Sequence, residues 1–293
     1  MLVVYEHGPT CHSVHARSKR NRFESPRGSR CYNVAWSLVL RLVRVAMARQ
    51  RHLRNAPITE AIIDFRTKLK DGFDAADLAS LQEAVRDKYP GMDEMKQVEG
   101  GFKFEGAKVE QLVQGPWLRG YVLRSGDGRD VAQIRRDGFS FHRLSPYTDW
   151  SSVVAEAQRL WQSYLRRAPV ELVTRVAVRY INRIDIPLPI TDLGQYLTEP
   201  PRLPEAFPQE LCSFLIRYVV RDREINASAN VTQVLQVSDQ LDRATIILDI
   251  DVYRVQEAGL DLGEIPAMLE QFRNLKNRIF FSSITEETAG WFE

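Results

Sequence analysis

The chain has 293 residues, 44% of them hydrophobic and 27% charged, with 40 Lys+Arg against 38 Asp+Glu. That composition excludes a chain disordered throughout and, with three Cys, a disulfide-stapled fold; at this length a core can be buried without metal or crosslink. The near-neutral balance hides a split, because residues 1–46 hold eight Lys+Arg against Glu6 and Glu24 and the remainder is net acidic.

Residues 1–46 also carry His7, His12, His15, Cys11 and Cys31. The spacing of Cys11, His12, His15 and Cys31 matches no paired zinc arrangement. Val34–Ala46 is too short and too interrupted by Arg41 and Arg44 to span a bilayer. A secretory signal ending at Ala46-Met47-Ala48 is one reading of this segment. The abrupt change of composition at Met47 favours another: a leader that is disordered or mis-annotated, with the folded protein starting at Met47.

Regular patterning begins just after. Ile58–Leu69 alternates as a strand, with Ala61, Ile63 and Phe65 on one face and Glu60, Ile62 and Asp64 on the other. Asp74 caps a helix carrying Leu78, Leu81, Val85 and Tyr89, which Tyr89-Pro90-Gly91 stops. Strands follow at Met95–Glu105, Trp117–Arg124, Val131–Arg136 and Phe139–Leu144, with hairpin turns at Asp127-Gly128 and Asp137-Gly138. Asp149 opens a long helix striped with Trp150, Val153, Ala157, Leu160, Trp161 and Tyr164. A long strand, Glu171–Ile186, precedes a short helix near Asp192–Leu197 and a Pro-rich connection. Strands at Ser213–Arg221, Ala229–Ser238 and Thr245–Val255 lead to a final helix over Leu262–Phe281.

The order reads as one unit repeated. Aligning Ile58 with Val173 keeps polarity in step, which predicts an α+β fold of two similar halves, 47–168 and 169–293, joined in one compact unit by internal duplication. Each half would be an antiparallel sheet packed on a long helix.

No phosphate-binding loop, dinucleotide fingerprint, zinc-protease helix, C-x-x-C pair or nucleophile elbow occurs. No metal and no cofactor is expected. His142 is the best-placed imidazole, and Cys212 is its conceivable but unsupported partner. Arg175, Arg179 and Arg183 share one face of their strand, whereas Asn182 falls on the apolar face, where its amide needs a structural partner. If the two opening strands pair antiparallel, Glu60 neighbours Arg179 and Asp64 neighbours Arg175. The result is either a solvated charge ladder or an Arg/Glu cleft between the halves able to grip a carboxylate or phosphate. Glu60, Asp64, Arg175, Arg179 and Asn182 are therefore the candidate ligand-binding residues, with Arg217, Asp249 and Asp251 secondary. The Asp249/Asp251 pair could serve as acid and base, but no oxygen-rich loop completes a cation site.

Asn55-Ala56-Pro57-Ile58 with Glu60, Arg179-Tyr180-Ile181-Asn182-Arg183-Ile184 and Ile279-Phe280-Phe281-Ser282-Ser283-Ile284-Thr285 together resemble an uncharacterised, sporadically distributed bacterial protein family. The resemblance covers nearly all of Met47–Glu293 and implies a start just before the first motif. It implies no activity, substrate or cofactor; patchy distribution points to accessory or defence-associated genes. The expectation is a cytoplasmic binding or interaction protein with a protein partner or small anionic ligand, and with no membrane association. A hydrolase acting on an anionic substrate is the alternative. Nucleic acid is disfavoured because an acidic body lacks the usual electrostatic footprint.

Overall fold

β-Branched residues and strict alternation make Ile58–Leu69 a strand, β1, whose Ala61, Ile63 and Phe65 are buried. The computed structural model describes residues 47–105, 108–209, 211–237 and 242–293; the expectations placed on residues 1–46 lie outside them. A 3-10 helix, Ala75–Ala84, follows, with the Asp74 side chain accepting from the Ala76 N–H. Its buried Ala75, Leu78 and Leu81 recur every third residue, the period of a 3-10 rather than an α-helix. The antiparallel strands β2 (Gly91–Glu105), β3 (Lys108–Arg124), β4 (Asp130–Arg135) and β5 (Gly138–Leu144) come next. Helix α1 (Trp150–Leu165) starts where Asp149 accepts from the Ser152 N–H. The long strand β6 (Val170–Pro187) leads through the 3-10 turn Leu193–Gln195 to β7 (Phe214–Asp222), β8 (Ala227–Val237) and β9 (Arg243–Val255). Helix α2 (Ile265–Ser283) has Pro266 in its first turn, where no N–H is needed. The short helix α3 (Glu286–Gly290), capped by Thr285, follows it and was not evident from the sequence.

The two-halves reading is overturned. Among the described residues, all nine strands form one sheet in the order β2-β3-β4-β5-β1-β6-β9-β8-β7. The opening strands β1 and β6 pair along their length at its centre, from Ile58↔Asn182 to Leu69↔Val170. Two separate sheets would each leave a central edge of unpaired N–H and C=O groups; pairing β1 with β6 removes both edges. The helices likewise form one layer. α1 packs on β1 and β5, α2 on β6 and β9, and the indole N–H of Trp150 donates to Glu270 of α2. Nor is there support for an internal duplication, since five strands precede α1 and four follow it, all on one continuous core.

That core is aromatic at its centre. Phe65 stacks on Trp161 at 4.5 Å between ring centroids, and Trp161 on Tyr164 at 5.4 Å. Tyr89 donates to Glu156 at 2.7 Å, and Arg159 and Lys88 help hold that carboxylate down to about 2 against the upward push of burial. A cation lies on the helix side of the sheet: Lys276 of α2 is 7% exposed, its Nζ 3.7 Å from the centroid of Tyr180. Burial, and secondarily Arg273, lowers its pKa to about 7.

This depressed value has a definite sign. Between about pH 7 and pH 10.5 the unfolded chain holds a proton at Lys276 that the folded chain has released, so stability rises with pH across that window. Lys276→Met is expected to be more stable than wild type at neutral pH. The difference should shrink by up to about 2 kcal/mol from pH 7 to pH 9, as read by urea unfolding at each pH. A pH-independent difference would show that the ammonium carries no burial penalty.

Candidate functional site

Because Phe65 faces α1, alternation along β1 turns Glu60, Ile62, Asp64 and Arg66 to the opposite face of the sheet. Register carries this face outward. It bears Ser140 and His142 on β5, Gln133 and Arg135 on β4, Arg175, Ala177 and Arg179 on β6, Asp249, Asp251 and Tyr253 on β9, and Asn230 and Thr232 on β8. Ala177 and Ile62 are buried even here, beneath the longer side chains around them.

These side chains form one hydrogen-bonded chain across six adjacent strands. Glu60 Oε1 lies 2.6 Å from His142 Nδ1, and His142 Nε2 lies 2.8 Å from Ser140 Oγ. Arg135 donates from Nη1 to Ser140 Oγ at 3.1 Å and from Nη2 to Asp64 Oδ2 at 2.9 Å. The other Asp64 oxygen accepts from Arg175 Nη1 at 2.7 Å; Arg175 Nη2 donates to Asp251 Oδ2 at 2.8 Å, and Asn230 donates to the same oxygen at 3.4 Å. The Arg175 guanidinium also lies over the Tyr253 ring, 4.9 Å from its centroid. Beside this chain Arg179 grips Asp249 with two parallel bonds, at 2.8 and 2.6 Å.

The electrostatics follow from this pairing. Burial acts to raise Asp64, but Arg135 and Arg175 outweigh it and hold the carboxyl below the usual range. The hydrogen bond from His142 lowers Glu60 against an opposing push from burial. Burial acts to lower Arg175, yet Asp251 and Asp64 raise it on balance; Arg179 is raised chiefly by its bonds to Asp249. A carboxylate can only accept, so the Glu60 contact places the imidazole proton on Nδ1. In the neutral ring Nε2 then accepts from the Ser140 hydroxyl.

Of the residues expected from the sequence, Glu60, Asp64, Arg175, Arg179, Asp249 and Asp251 all meet on this face. The pairing is not the expected one. Bulges slide β1 against β6 by two residues, so Arg179 stands opposite Ile62 and Asp64 opposite Ala177. Asp64 still reaches Arg175 diagonally, but Glu60 bonds His142 rather than Arg179. The sheet runs unbroken through the β1–β6 seam, so these groups lie on a surface and not in an inter-half cleft. Asn182 points the other way, 2% exposed, and clasps the Leu248 carbonyl at 2.9 Å. Arg217 sits out on β7 opposite Thr232, apart from the chain.

Sequence reasoning missed Arg135, Gln133 and Ser140. Ser140 and His142 are two apart on one strand, a visible signal, but only the β5–β1 pairing brings them to Glu60. Cys212 is exposed, and both His142 nitrogens are engaged elsewhere. Among the described residues no group of His, Cys, Asp and Glu is arranged to hold a metal ion. No helix among them is long and apolar enough to cross a membrane. No protein-family profile and no curated protein matches this chain.

Proposed function

We propose that this is a cytoplasmic binding protein whose open sheet face receives a partner protein. The carrying observation is Arg179. Its side chain is 43% exposed while Arg135 and Arg175 beside it are at 10% and 13%, so one pre-oriented guanidinium fork is presented from an otherwise sunken network. The arginines are already matched by Asp64, Asp249 and Asp251, so a small anion would have to break an ion pair to bind. A protein surface that brings charges of both signs can extend the network instead.

The test is recovery of the tagged full-length chain from its native cells, wild type beside Arg179→Asp, followed by quantitative mass spectrometry. A stoichiometric protein partner that falls at least about ten-fold in the variant is the expected result, a loss of roughly 1.4 kcal/mol or more. A melting temperature raised by inorganic phosphate in the wild type and not in Arg179→Ala would instead make the ligand a small anion. A chain that recovers no such partner and shows no phosphate response overturns the binding reading.

A second reading, hydrolysis of an anionic substrate, is favoured by one arrangement. Ser140, His142 and Glu60 stand in nucleophile, base and orienting-acid order at 2.8 and 2.6 Å. Against it, Ser140 is 2% exposed and its oxygen already accepts from Arg135. A fluorophosphonate adduct on Ser140, absent in His142→Ala, would establish this reading; an unlabelled serine would end it.

A further inference from the structure

The two edges of the sheet differ. β2 is blunted by register breaks against β3 between Met95 and Lys96 and between Gln97 and Glu99, and by the exposed charges of Asp93, Glu94 and Lys96. β7 is less protected: its exposed charges, Arg217 and Arg221, stand among exposed apolar residues, and its register is unbroken. Its nine residues pair with β8 without a break, and it contains neither Pro nor Lys. Leu215, Tyr218, Val219 and Val220 are all 46–66% exposed. Leu215 and Val219 lie on the open face, and Tyr218 and Val220 on the helix side. A helix docking on one face would cover half of these. Only another strand continuing the sheet covers both sides and also satisfies the outer backbone groups of β7.

We infer that β7 pairs antiparallel with β7 of a second copy of this chain, joining two nine-stranded sheets across a twofold axis through Tyr218. A second copy fits as the occupant because β7 can pair all nine of its residues with itself without two cations meeting, and the charges then select the register. In a twofold pair opposite residues share a face, so the axis must pass through a residue. Centred on Arg217, the pairing sets Arg217 against itself; centred on Val219, it sets Arg217 against Arg221. Like charges directly opposite are unfavourable. Centred on Tyr218, it pairs all nine residues, with Tyr218 on Tyr218, Ile216 on Val220, Arg217 on Val219 and Arg221 on Leu215, and no cation meets a cation. The arginine stems then lie over aliphatic neighbours of the other copy while their heads stay in water. Nine residues a side make a small interface, so the dimer is a reversible one.

The register makes the test specific. In light scattering over a dilution series, the full-length wild type shifts from dimer to monomer on dilution. Val219→Lys places a cation opposite Arg217 of the other copy at two symmetric positions and weakens the dimer about ten-fold or more. Val219→Glu places an anion at the same two positions and dimerises at least as tightly as the wild type, although it removes the same apolar group. Circular dichroism of both variants confirms that the fold is retained. A wild type monomeric at every concentration overturns the proposal, as does a Val219→Lys dimer of wild-type strength. Equal loss in Val219→Lys and Val219→Glu overturns the register and the pairing with it.

Discussion

Arg175→Met is expected to destabilise the protein by about 3–5 kcal/mol, lowering the melting temperature by roughly 10 °C. Arg175 is the single cation between Asp64 and Asp251, and its removal leaves two largely buried carboxylates facing one another across β6. The loss should depend on pH in a definite direction. In the wild type Asp64 is held below its ordinary value, so its contribution is present above about pH 4 and is lost as pH falls through the depressed folded value. Without Arg175 the carboxyl takes up its proton earlier, and the gap between variant and wild type narrows in acid. Replacing Asp64 and Asp251 by Asn in the same chain should recover most of the loss, because the penalty comes from uncompensated charge rather than from a missing contact. Urea unfolding of single and triple variants across pH checks both statements. A triple variant no better than Arg175→Met would show that the guanidinium acts by packing alone.

Gly138→Ala should cost at least about 3 kcal/mol, from overpacking against backbone that no rotamer can relieve. Gly138 opens β5 with φ at +152°, opposite Arg66 of β1 and Arg135 of β4. An added methyl would fall inside the van der Waals shell of the Phe65 carbonyl oxygen and 3.1 Å from Arg66 Cα. Relief requires β1 and β5 to separate, which disturbs the Phe65–Trp161 stack on one face and the Glu60–His142 contact on the other. Gly128→Ala is the control: its φ is +71° but nothing lies within 4 Å of the new methyl, so only the left-handed backbone penalty of about 1–2 kcal/mol remains. Similar losses in both variants would remove the steric account of Gly138.

The strands were legible because alternation is a local property, and β1 was bounded correctly from Ile58 to Leu69 on that basis. How strands combine is not local. Whether β1 and β6 close two sheets or fuse them into one depends on which edges meet, and the pattern inside each strand is the same either way. The acidic and basic members of the open-face network were readable from β1, β6 and β9 because they interrupt apolar alternation. Their partners were not, because the register between β1 and β6, shifted by two residues in all at the bulges, is a property of the pair and not of either strand alone. Arg135 and Ser140 were missed for a related reason: on their short strands a polar residue facing outward is ordinary until the neighbouring strand supplies Asp64 or Glu60.

The fusion of β1 with β6 also sets a timetable for synthesis. Asp64 and Arg175 are 111 residues apart in the chain, so β1 leaves the ribosome long before the strand that covers its second edge. Its first edge can be occupied early by β5, but the other stays open until β6 has emerged, and the layer above stays incomplete until α2, close to the end of the chain, is made. The nascent protein therefore carries β1 with one edge unpaired until β6 has been made. That interval, rather than the finished fold, is where a chaperone would be needed.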